Sequence, residues 1–217
     1  MSFTIPTLSV YLYVDGENHY RRSEDAARAS LGAPLESLRT VSHTFGGGNL
    51  LVRKDCALFW DTRHCGNVQL HRKYYYTSFV GNDGDLHEIK TLMRAKPFAF
   101  DPEIVKEDKN KRKNRLAELE QLSLIEKPKG ADIALAVRML EDAANNNFAT
   151  AYLFTSDADF LPLIKAVRRM GKYVVLFGFR NNLGNQEMAY AADEFIDLST
   201  SFTTLHYSVM PPVSPGG

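Results

Sequence analysis

The chain has 217 residues (24.4 kDa), and its 26 basic and 26 acidic residues cancel to a formal net charge of zero. That length suits one domain with a well-buried core, and the balance speaks against a globally basic nucleic-acid binder while leaving room for an enzyme whose acidic centre offsets a basic rim. No apolar run approaches the roughly 20 residues of a membrane span, and MSFTIPTLSVYLYV lacks the basic start and cleavage site of a secretory leader, so a cytoplasmic protein without a membrane partner is expected.

The first expected element is a strand at residues 8–14, LSVYLYV, ending at Asp15-Gly16, and a helix follows from about Glu17 to Ala29. Residues 32–50 carry Gly32, Pro34 and Gly46-Gly47-Gly48 and read as a mobile excursion or a tight-turn loop. Residues 51–70, with ALFWDT, fit strand and helix alike. KYYYTSFV (73–80) has strong strand propensity, with Tyr74, Tyr75 and Tyr76 alternating across the strand as sheet-face residues. The turn Gly81-Asn82-Asp83-Gly84 precedes a helix over 85–95. Pro97 and Pro102 then interrupt regular structure. Residues 103–122 are rich in charge, with a helical pattern from Lys113, and SLIEK (123–127) is a short strand candidate.

Residues 131–144, ADIALAVRMLEDAA, predict a helix with Ile133, Val137 and Leu140 on one apolar face and Asp132 in its first turn, where the helix dipole favours a carboxylate. A strand at 149–155, a helix at 160–170, a strand at 173–179, a helix at 183–191 and a strand at Phe195–Leu198 complete the series. Residues 1–200 are expected to form a single domain with an unassigned excursion at about 32–70, and 201–217, with its PPVSPGG end, to form a flexible tail. Strands alternating with helices place the chain in the α/β class, with a mostly parallel sheet covered on both faces. Right-handed crossovers then bring the strand-end loops to one edge.

Three of those loops deliver acids: Asp15 after the first strand, Asp132 at a helix start, and Asp157 with Asp159 after the central strand. The carboxyl edge of an open α/β sheet is where ligands bind, and carboxylates sharing a site raise each other's pKa unless a cation joins them. An all-oxygen donor set suits Mg²⁺ or Mn²⁺, which in such a site activates water against a phosphodiester. Taken singly, each Asp is more often a helix cap or turn former. Other signals are weaker. Cys56 and Cys65 make no disulfide framework, and with His64 and His71 they miss the usual zinc spacing. The run Lys109, Lys111, Arg112, Lys113, Arg115 fits an RNA-backbone contact or a solvated helical arm; Arg168, Arg169 and Lys172 read as surface residues.

The pieces VDGEN (Val14–Asn18), YYYT (Tyr74–Thr77), KGADIALAVRML (Lys129–Leu140), TSDADFLPLIKAVRRMGKYVVLFGF (Thr155–Phe179) and LGNQEMAYAADEFIDL (Leu183–Leu198) occur in an order that resembles NYN domain proteins of the LabA-like (DUF88) type, within the PIN-like nuclease superfamily. The resemblance spans nearly the whole chain. It implies a PIN-like, Rossmannoid three-layer α/β/α sandwich and a divalent-metal-dependent ribonuclease, with RNA as substrate and Mg²⁺ or Mn²⁺ as cofactor. Carried over by residue, it assigns Asp15, Asp132, Asp157 and Asp159 as the catalytic, metal-binding acids. Asn18 would position a phosphate or a water, and Ser156 and Lys129 would contact the phosphate backbone. Many relatives carry an acid where this chain has Arg138. Two other readings remain: a catalytically silent NYN module that binds RNA or a regulatory protein partner, and, ranked last, a phosphatase of the haloacid-dehalogenase kind, whose Asp-x-Asp is here Asp15-Gly16-Glu17. A homo-oligomer is compatible with the first two.

Overall fold

The computed structural model describes residues 9–40, 48–66, 68–106, 130–203 and 207–209. Strand β1 (Val10–Asp15) runs directly into α1 (Gly16–Leu31), which Asp15 caps by accepting a 3.2 Å hydrogen bond from the Asn18 N–H. The helix ends at Gly32, whose φ of 65° lets its N–H donate back to the Arg28 carbonyl. After it come β2 (Leu38–Thr40), β3 (Leu50–Arg53), β4 (Leu58–Asp61), β5 (Leu70–Phe79), α2 (Asp83–Arg94) and β6 (Asp101–Lys106). The second half contains α3 (Gly130–Ala144), β7 (Thr150–Phe154), α4 (Leu161–Arg169), β8 (Tyr173–Gly178), α5 (Glu187–Ala191), β9 (Glu194–Asp197), α6 (Ser199–Thr203) and β10 (Tyr207–Val209).

Among the described residues six strands form one sheet in the order β6-β5-β1-β7-β8-β9, every neighbouring pair parallel. The chain builds outward from β1 to β5 and β6, then returns to lay β7 on the other flank of β1. That reversal makes the β1/β7 seam the topological switch point. Period-two side chains separate the two cores. Leu12, Val14, Tyr75, Phe154 and Phe177 point to one, beneath α1 and α2, whereas Tyr13, Tyr74, Tyr76, Leu153 and Leu176 point to the other, beneath α3, α4 and α5. The α/β/α sandwich expected from the alternation of elements is therefore the observed architecture, and the three tyrosines divide between its faces.

Several expectations are corrected. Pro102 does not break structure; it lies within β6, the outermost strand beside β5, where a missing N–H can face away from the ladder. Helix α3 buries Ala131, Leu135, Met139 and Ala143 and leaves Ile133 (58%) and Val137 (48%) exposed, opposite to the predicted face. Both faces are apolar in sequence, and a buried polar bond favours the observed rotation: Asp142 accepts from the Tyr13 hydroxyl at 2.8 Å and from the Asn147 amide at 2.8 Å. Residues 48–66 form the antiparallel β3–β4 hairpin, and its Trp60 is buried edge-on to Phe100 and Phe154. Ser201–Thr203 and Tyr207–Val209, expected in a flexible tail, instead bury Phe202 and Tyr207 and pair β10 antiparallel with β2. The expected helix from Lys113, the SLIEK strand, the basic run 109–115 and Lys129 lie outside the described residues.

Gly16 permits the abrupt β1–α1 junction. A Cβ there would stand 2.3 Å from the Tyr75 ring and 2.7 Å from the Tyr76 carbonyl oxygen, and backbone cannot swing aside. Gly16→Ala should lower the Tm by on the order of 5 °C or more, the usual scale of overpacking in a chain this long. Gly130→Ala, whose added carbon stays 3.8 Å from Val105, should be neutral or stabilising; circular-dichroism melts of the two variants against wild type check the pair.

Candidate functional site

At the β1/β7 seam the chain lays two carboxyl ends side by side. Asp15 ends β1; Thr155, Ser156 and Asp157 follow β7 directly. The Thr155 hydroxyl joins the two ends, donating to Asp15 Oδ2 at 2.8 Å and accepting from the Asp157 N–H at 3.1 Å. Asn18, in the first turn of α1, makes a second tie: its Oδ1 accepts from the Ser156 N–H at 2.8 Å. Asp157 then caps the 3₁₀ turn Ala158–Phe160 by accepting from the Asp159 N–H at 3.1 Å. From the opposite side, the first turn of α3 contributes Asp132. Asp15, Asn18, Asp132 and Asp157 line one cavity of about 350 Å³, walled also by α1 and Tyr76.

The electrostatics of this cavity are set by Asp15, only 4% exposed. Burial, then the charge of Asp132 and to a smaller degree that of Asp157, push its carboxyl up to about 7, against the lowering effect of the Thr155 and Asn18 hydrogen bonds. The charges of Asp132 and Asp157 beside Asp15 concentrate negative charge at the floor of the cavity. Among the described residues no three His, Cys, Asp or Glu side chains already converge as a metal chelate. Mg²⁺ does not require one, since it keeps several waters and commonly takes one or two carboxylates together with substrate phosphates. A hard-oxygen donor set around a cavity of this size fits such an ion.

The remaining sequence-predicted residues are placed differently. Asp159 is exposed at the start of the 3₁₀ turn and does not line the cavity. Ser156 is buried, its N–H committed to Asn18 and its Oγ accepting from the Phe179 N–H at 3.0 Å, so it shapes the loop from within. Arg138 extends its guanidinium over the Tyr74 ring at 5.5 Å and does not line the cavity. Thr155 was missed by sequence reasoning although it adjoins the Ser-Asp-x-Asp piece, because a threonine at a strand end has no chemical signature until its partners are known. Glu17 and the Arg21–Arg22 pair were missed for the same reason; helical spacing on α1 puts all three on the cavity wall.

The sequence model of the NYN domain family matches residues 9–199. Among solved structures, a protein of unknown function from Vibrio parahaemolyticus is similar in fold, with a TM-score of 0.52 and 15% identity over 91% of this chain and 96% of that one. No curated protein matches. Among the described residues no helix is long and apolar enough to cross a membrane.

Because Asp15 holds its proton up to about pH 7 in the fold but only to about 3.8 at its ordinary value, the folded state binds more protons between those limits. Stability from this group is fully present below the lower value and is lost as pH rises through the upper one. Asp15→Asn should therefore raise the Tm of metal-free protein by several degrees at pH 8 and by clearly less at pH 5. Scanning calorimetry at the two pH values in EDTA checks this; an equal shift at both, or a fall at pH 8, refutes the electrostatic account.

Proposed function

The chain belongs to the NYN domain family of PIN-like nucleases, and from that premise we propose that it is a divalent-metal-dependent ribonuclease acting at the β1/β7 seam. The observation that carries the reading is the convergence of Asp15, Asp132 and Asp157, from three separate elements, on one cavity at the switch point of the sheet. Their oxygens would hold Mg²⁺ or Mn²⁺, with exposed Asp159 available at the rim. A bound divalent ion supplies charge to a phosphoryl oxygen and lowers the pKa of water, the two things phosphodiester hydrolysis needs.

The chain's own residues have separable tasks. Asp15, locked by Thr155 and Asn18, presents a fixed carboxylate with almost no rotational freedom. Asn18 spends its carbonyl oxygen on Ser156, which leaves its amide N–H groups to donate to a phosphate oxygen in the cavity it lines. Thr155 is a positioning residue, because one hydroxyl sets the distance between Asp15 and the Asp157 backbone.

A silent NYN module that binds RNA or a protein partner is the competing reading, and the absence of a preassembled chelate among the described residues is what favours it. Calorimetric titration with Mn²⁺ separates the two, since a degenerate site gives no stoichiometric heat. Asp157→Asn should remove at least ~10²-fold of Mn²⁺-dependent RNA cleavage, the scale on which losing one preorganised electrostatic contact acts, while shifting the Tm little. Gel assays over several RNAs check it: an Asn variant that cuts like wild type, or a wild type inert with every metal, sinks the nuclease reading.

A further inference from the structure

The cavity holds a second feature that the acids do not explain. Arg21 and Arg22 line it, and they are its only cations among the described residues. A nucleic acid entering this cavity is a polyanion, yet the carboxylates at the floor repel it. Among the described residues that line the cavity, fixed positive charge comes from these two side chains.

Their present partners hold them loosely. Arg21 meets Glu17 at 3.4 Å and Arg22 meets Asp25 at 3.4 Å, each through a single contact within α1, whereas Arg28 meets Glu24 at 2.6 Å on the same helix. The side chains are 56% and 36% exposed, so these pairs are worth little and release at small cost. Glu17 is itself anchored by the Ser78 hydroxyl, which donates to its other carboxylate oxygen. Six to seven residues along a helix span about 9–10 Å, which sets the backbone of the arginines well back from Asp15. Phosphate held at the floor and phosphate held by the arginines are thus different groups of one strand.

Resting on the nuclease reading, we propose that Arg21 and Arg22 form a phosphate subsite for the nucleotide beside the scissile phosphodiester. The substrate is then a strand several nucleotides long, because a dinucleoside monophosphate has no second phosphate to offer. Guanidiniums suit this task because their planar donor fork matches two phosphate oxygens at once.

The test compares wild type, Arg21→Ala/Arg22→Ala and Arg21→Lys/Arg22→Lys, each shown by its melt to be folded. Cleavage in Mn²⁺ is measured on an octaribonucleotide and on a dinucleoside monophosphate, and binding of the labelled octamer is read by fluorescence anisotropy in Ca²⁺, another hard cation. For the alanine pair, the octamer KM should rise about tenfold or more with kcat within about twofold, and the slope of log affinity against log salt should fall by about 1–2. Dinucleoside cleavage should not change, and the lysine pair should recover part of the octamer affinity. An unchanged octamer KM and salt slope, or an equal loss on the dinucleoside, overturns the subsite. If wild type binds the octamer in Ca²⁺ but cuts nothing, the nuclease reading fails alone: weaker binding by the alanine pair sustains the subsite and equal binding ends it. A wild type that neither binds nor cuts the octamer ends both.

Discussion

The carboxylate of Asp15 is almost sealed from solvent, accepts hydrogen bonds from the Asn18 N–H and the Thr155 hydroxyl, and lies in a cavity it shares with Asp132 and Asp157. Burying a charge this way is unfavourable, and like charges nearby make it more so. The surrounding structure must therefore hold Asp15 against its own preference for water. It does so by making the same side chain do architectural work: Asp15 ends β1, caps α1 and, through Thr155, clamps the end of β7. Moving it would uncap a helix and unfasten the seam on which the sheet reverses direction.

The clamp needs backing, and that comes from parts of the chain remote in sequence. His19, one residue after Asn18, is buried among Phe59, Trp60, His64 and Phe154, and burial, with His64 adding to it, pushes its imidazole well below the ordinary value. The first turn of α1 is thereby pressed between the β3–β4 hairpin and the sheet. Behind the hairpin, Asp61 receives a fork of hydrogen bonds from Arg63, at 2.6 Å through Nη2 and 3.0 Å through Nε. Burial pushes this acid up, but the Arg63 bonds together with the charges of His64 and Arg63 more than offset it and hold it below the usual carboxylate range. The Arg63 guanidinium lies in turn over the ring of Tyr207, in β10. Hairpin and carboxyl-terminal strand form one brace beneath the functional edge.

How far the sequence was legible follows from how local each signal is. β1, β5, β7 and β8 announced themselves as short β-branched and aromatic runs, and the alternation of Tyr74, Tyr75 and Tyr76 across the sheet followed from period two alone. The segment 48–66 gave no such signal, since ALFWDT supports either periodicity; only packing against Phe154 and Phe100 makes it a strand. Pro102 misled because its missing N–H matters only if a neighbour needs it, and edge position is a property of the sheet. The rotation of α3 was equally hidden, because a helix apolar on both sides is oriented by the partner of Asp142.

The sequence by itself determined the class of fold and the position of Asp15, Asp132 and Asp157 in loops or helix starts at the carboxyl edge of the sheet, because strand propensity, capping and loop position are encoded within a few residues. Tertiary structure alone decided that Asp159 stands outside the cavity, that Ser156 faces inward, that Thr155 bonds Asp15, and that Glu17, Arg21 and Arg22 line the cavity. The reason is physical: the burial and hydrogen bonding of a carboxylate depend on groups brought from up to 140 residues away. No local pattern records that proximity.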